Sequence, residues 1–179
     1  TGGNNTAIGY SSLLSNTTGG SNTAHGYQAL DSNTTGSNNE AFGYNALGAN
    51  TTADANTAIG SSALASNTEG HSNVGIGYQT LDANTTGDHN VGVGRGALST
   101  LTTGNHNTAL GNYTSVLQTT ADNNTAVGSW SQYANTTGGW NTSVGFGSLD
   151  ANTTASNNTA IGANALTANT TGTANTAVG

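Results

Sequence analysis

The chain has 179 residues, 32% of them hydrophobic and only 5% charged, with a formal charge of −7 and one cation, Arg95. The lack of cysteine excludes a disulfide framework and a thiolate metal site. The acidic balance argues against nucleic-acid phosphates as a partner, and no apolar run is long enough to suggest membrane insertion.

Low hydrophobicity with so little charge points to regular hydrogen-bonded stacking rather than disorder. Asn5-Thr6-Ala7-Ile8-Gly9 opens a pattern that returns at Asn56-Thr57-Ala58-Ile59-Gly60 and Asn158-Thr159-Ala160-Ile161-Gly162. Its Asn recurs at Asn5, Asn22, Asn39, Asn56, Asn73, Asn90, Asn107, Asn124, Asn141, Asn158 and Asn175, always 17 residues apart. A fixed short period of this kind marks a solenoid. Residues 1–179 therefore read as one array of ten 17-residue coils, and as a window of a longer fibre.

Numbering each coil from its Asn, position 5 is Gly in all eleven copies, which demands an unusual corner. Position 4 is apolar except at His25, and position 9 is Leu in eight of ten coils. Position 3 holds only Ala, Gly or Ser, position 13 is always Thr, and position 12 is mostly Asn. Gly, Asn, Thr and Ser are poor interior helix residues, so the expectation is all-β. Short strands are expected around positions 2–4, 8–10 and 12–14, stacking coil on coil at about 4.8 Å. Ten coils then make a rod roughly 48 Å long. The eleven position-1 asparagines are expected to form a ladder in which stacked amides bond their neighbours.

Positions 4 and 9 read as the large inward side chains. That is little apolar burial for seventeen ordered residues. Neighbours on a strand face opposite ways, so position 3 should point away from position 4. Its refusal of large residues suggests that a second chain covers it, and hence an oligomer.

The Asn-Thr-Ala-Ile-Gly unit, with the variant Asn73-Val74-Gly75-Ile76-Gly77, resembles the repeats of YadA-like heads of trimeric autotransporter adhesins. The longer pattern Gly26-Tyr27-Gln28-Ala29-Leu30-Asp31-Ser32-Asn33-Thr34-Thr35-Gly36 also resembles repeats of phage tail fibres. The resemblance spans the whole chain. It implies a left-handed parallel β-roll, a homotrimer and an extracellular setting as a fibre or adhesin. The 17-residue repeat is longer than is usual for the adhesin heads, and Thr stands where those heads often have Val.

Candidates for chemistry are few. His25, His71, His89 and His106 form no recognisable triad or carboxylate pair with the eight acids, so no enzyme activity and no cofactor are expected. Asp31, Asp82 and Asp150 share position 10 but lie in coils that do not touch, so calcium has no column. His89 and His106 share position 17 in successive coils and should stack as polar surface residues. His25, read as an inward residue, is expected either as a satisfied core histidine or, if position 4 faces a threefold axis, as an ion site made by three copies. The irregular seventh and eighth coils carry Tyr113, Trp130, Tyr133 and Trp140. These suggest an aromatic platform for a cell-surface glycan, with Tyr113 stacking on Trp130. The Thr columns at positions 13 and 14 suggest a third reading, ice binding.

Overall fold

A computed structural model describes residues 2–179. Its strands are β1 (Thr6–Ile8), β2 (Thr23–His25), β3 (Glu40–Phe42), β4 (Thr57–Ile59), β5 (Val74–Ile76), β6 (Val91–Val93), β7 (Thr108–Leu110), β8 (Thr125–Val127), β9 (Thr142–Val144), β10 (Thr159–Ile161) and β11 (Thr176–Val178). They form one parallel sheet in chain order, each strand paired to the next with a shift of one repeat, as in Thr57↔Val74 and Ile59↔Ile76. The fold is a parallel β-solenoid of 17-residue coils, with no helix among the described residues.

Only positions 2–4 make a strand, which corrects the expectation of three strands per coil. Positions 6–11 are stacked turns. Positions 7, 9 and 17 lie in the left-handed region, as at Gln28 (φ 55°), Leu30 (φ 53°) and Ser21 (φ 57°). Such values bend the chain and prevent a second extended segment. The turns still ladder from coil to coil. The Gln28 N–H donates to the Tyr10 carbonyl at 2.9 Å, Leu13 N–H to the Ala29 carbonyl at 2.9 Å, and Thr17 N–H to the Thr34 carbonyl at 2.9 Å. Identical bends stack as readily as identical strands, because every coil repeats them.

The interior is built by Leu at position 9 and Ala at positions 3 and 8. Leu30, Leu47, Leu64, Leu81 and Leu98 are fully buried with Ala24, Ala41 and Ala58. Position 3 is thus small because it faces Leu inside its own chain: a Cβ on Gly75 would lie 3.3 Å from Leu64 Cγ. No second chain is needed to explain it, and the inference drawn from position 3 is corrected. Position 4 points outward instead. Ile59 and Ile161 are each 41% exposed, and Ile8, Phe42, Ile76, Leu110 and Val144 share that outer column.

Two asparagine columns line the interior. At position 1 the side chain bonds backbone rather than amide: Asn56 Oδ1 accepts from the Asn73 N–H at 2.9 Å, and Asn56 Nδ2 donates to the Gly70 carbonyl at 2.8 Å. Amide-to-amide rungs at this position occur at Asn107 to Asn90 (3.1 Å) and near the C-terminal end of the array. The amide ladder proper runs at position 12. Asn33 Nδ2 donates to Asn16 Oδ1 at 2.9 Å, Asn50 to Asn33 at 2.9 Å, and Asn84 to Asn67 at 2.8 Å. Both columns converge on the position-15 carbonyl, as when Asn22 and Asn33 both donate to Gly36.

The sixth to eighth coils interrupt this order. Leu101 and Gln118 replace position-12 Asn, and Ser115 and Gln132 replace position-9 Leu. Gln132 Nε2 donates to Ser143 Oγ at 3.0 Å and to the Thr125 carbonyl at 3.3 Å; Ser131 bonds Ser148 and Ser143 through their hydroxyls. This buried polar plug separates the main apolar cluster from a second one around Leu149, Ala160 and Ala165.

Candidate functional site

The surface has no pocket among the described residues, so any site is a surface rather than a cleft. Aromatic side chains organise two parts of it. Position 6 carries Tyr10, Tyr27 and Tyr44 in successive coils, with ring centres 5.3 and 5.4 Å apart and nearly parallel. Coil stacking enforces this, because a shared position repeats at the spacing between strands.

The second group climbs through coils five to eight. Tyr78 and Arg95 share position 6, Tyr113 and Trp130 share position 7, and Tyr133 stands at position 10. The Arg95 guanidinium carbon lies 5.6 Å from the Tyr78 ring centre and 5.4 Å from that of Tyr113. Both contacts have cation–π geometry. Tyr113 and Trp130 are 5.6 Å apart and tilted by 44°, and Trp130 and Tyr133 are 4.8 Å apart. Gly96 makes room for this ribbon: a Cβ there would sit 3.1 Å from Tyr113 Cδ1. Arg95 is held through its backbone, its N–H donating to Asn112 Oδ1 at 3.0 Å and its carbonyl accepting from the Tyr113 N–H at 2.8 Å.

Tyr113, Trp130 and Tyr133 therefore come together as one aromatic surface. Trp140 does not join them. It stands 66% exposed at position 17, on the corner before β9, whereas the ribbon lies after the strands. Tyr78 was missed in the sequence, and Arg95 was noted there without being joined to the aromatic residues. Their shared position 6 in successive coils was the available signal.

His25 is exposed on the outer column and meets Phe42 edge-on at 6.0 Å, so the expectation of an imidazole in an apolar interior is corrected. His89 and His106 stack at 5.0 Å with their rings 4° from parallel. Among the described residues no group of three or more His, Cys, Asp or Glu is placed to hold a metal ion. Most position-16 side chains have a structural task. Ser37 N–H donates to Asp54 Oδ1, Asp54 N–H to His71 Nδ1, His71 N–H to Asp88 Oδ1, and Asn105 N–H to Asp122 Oδ1. Asp and His here serve as acceptors for the coil below. The Thr columns are unequal: position-13 hydroxyls donate to the next coil, as Thr34 does to the Thr51 carbonyl at 3.0 Å, while position-14 residues are exposed.

No protein-family model, curated protein or solved structure matches this chain.

Proposed function

We propose that this chain is a stretch of an extracellular fibre or adhesin, a stiff rod whose role is mechanical: it assembles as a parallel homotrimer and presents a lateral surface for attachment. The observation that carries the reading is the outer column of position 4, where Ile8, Phe42, Ile59, Ile76, Leu110, Val144 and Ile161 leave an apolar stripe along the sheet, interrupted at His25. Monomeric proteins rarely leave so long an apolar strip in water, and long strips of this kind mark association surfaces. Parallel chains would set like residues of the stripe at the same height. The count of three and the left-handed winding come from the resemblance to adhesin heads, and the same resemblance leaves a phage fibre and a cell-surface adhesin as the two settings.

Sedimentation of the chain and of an Ile59→Asp, Ile76→Asp variant tests the reading. The expected result is a trimer that the double substitution converts to monomer, with the circular dichroism of the solenoid retained because neither side chain enters the core. A wild-type chain that stays monomeric and folded at micromolar concentration overturns it.

A further inference from the structure

We propose that the ribbon Tyr78, Arg95, Tyr113, Trp130 and Tyr133 binds a carboxylated polysaccharide laid along the rod axis. Arg95 is the one Lys or Arg in a chain of net charge −7, and no acidic residue occupies position 6 or 7 in any coil. Its guanidinium carbon lies within cation–π range of two tyrosine rings, and its N–H groups donate to no group among the described residues. Cation–π contact leaves the N–H donors of the guanidinium uncommitted to any acceptor of the chain. Their fork matches a carboxylate in bidentate geometry. A cation fixed this way loses little side-chain freedom on binding, which favours affinity.

The rest of the ribbon selects the carrier of the carboxylate. Trp130, Tyr113 and Tyr133 offer ring surface next to the cation, and Trp130 is 43% exposed. The C–H faces of pyranose rings stack on such surfaces. The groups climb from position 6 to 7 to 10 over four coils, so they suit an extended ligand with regularly spaced rings. A peptide fits less well. Strand addition needs a free lateral edge, but the coils here bond one another through their backbones at many positions, and there is no pocket for a side chain among the described residues. Tyr10, Tyr27 and Tyr44 also present rings in successive coils, without a cation, which makes them an internal control.

Calorimetry with the full chain tests this against oligogalacturonate, oligoguluronate and a sialylated oligosaccharide, each paired with its carboxyl-reduced form. At least one acidic member should bind, with affinity falling at high salt. Carboxyl reduction and Arg95→Gln should each weaken that binding by about tenfold or more. Trp130→Ala should weaken the acidic and reduced forms alike, and Tyr27→Ala should leave binding unchanged. Thermal melting and sedimentation of every variant should match the wild type. Failure of the wild type to bind all three acidic sugars overturns the proposal, as does binding indifferent to Arg95→Gln or equally tight capture of a polyglutamate peptide. Loss of the oligomer in Arg95→Gln also overturns it, because the ribbon would then be an assembly contact. The fibre reading is judged separately, by the Ile59 and Ile76 substitutions.

Discussion

Asp82 carries a carboxyl whose Oδ1 is buried without a hydrogen-bond partner. Burial raises its pKa above the ordinary 3.8, against the opposing effect of hydrogen bonds from the Asp82 and Ala83 amides. The folded state therefore binds this proton more tightly than the unfolded chain. The contribution of this group to stability is fully present below 3.8 and is lost as pH rises from there through the raised folded value. Asp82→Asn removes the ionisation. The wild type should melt progressively lower than the variant as pH rises through that window, and the gap should then level off; a gap independent of pH would show that the carboxyl is not the cause. Asn84 Oδ1 is also buried without a partner, for a different reason. Lower in the column each Oδ1 receives the Nδ2 of the next Asn, as Asn67 Oδ1 does from Asn84. Leu101 stands where the next donor would be.

At the scale of the coil, shape is conveyed between neighbours. Position 8 is Ala in half of the ten coils but Thr at Thr80 and Thr114. A Cβ on Gly92 would lie 2.6 Å from Thr80 Cγ2, so Gly92 and Thr80 form a size-matched pair. Gly92→Ala alone should destabilise by about 1–3 kcal/mol through overpacking. Thr80→Ala should cost less, through loss of its hydroxyl bond to the Gly94 carbonyl at 2.6 Å. Combining them restores the Ala–Ala arrangement of other coils, and chemical denaturation should show a coupling of about 0.5–3 kcal/mol. Additive effects would mean that the two side chains do not compete for space.

The coil also shows what could be read in advance. The period, the Leu core and the Gly corner follow from residue identity, since a Cβ on Gly60 (φ 134°) would fall 2.4 Å from the Gly77 carbonyl oxygen. The inward side of the strand did not follow. Positions 3 and 4 are both free of charge, and the larger residue looked like the core residue. The bends at positions 7, 9 and 17 stayed hidden because Leu, Gln, Tyr and Trp occupy them as well as Gly. A signal was present all the same: in a chain rich in Thr, none of those three positions ever holds Thr, Val or Ile. β-branched residues are the ones that tolerate a positive φ least. For the ribbon, the proximity of Tyr113 and Trp130 was legible from shared position, though the rings meet tilted rather than stacked. The place of Arg95 near two rings, and the separation of Trp140, depend on how each corner turns.

Across the whole molecule, stability should be graded. Each coil touches only its neighbours, so an end coil has half the support of an inner one. Leu13 and Leu166 are only partly buried, whereas Leu30 to Leu98 are sealed. Hydrogen exchange in the 179-residue chain should be fastest for the amides of β1 and β11 and slowest from β3 to β6. Uniform protection along the array would contradict this nearest-neighbour picture.

The polar plug bears on a different matter, the counting of coils. From the second coil to the fifth, the same Leu and Asn recur, so a chain displaced by one whole coil would find like partners: Leu30 on the seat of Leu47, Asn33 on that of Asn50. Translation along the axis is close to a symmetry there, and register is degenerate. Leu101, Ser115, Gln118 and Gln132 remove the degeneracy. A displaced chain would set the Gln132 amide among leucines and Leu101 among asparagines, stranding buried polar groups at about 1–3 kcal/mol each. The irregular coils thus serve as the notch on an otherwise uniform ruler, an origin from which every other coil takes its number.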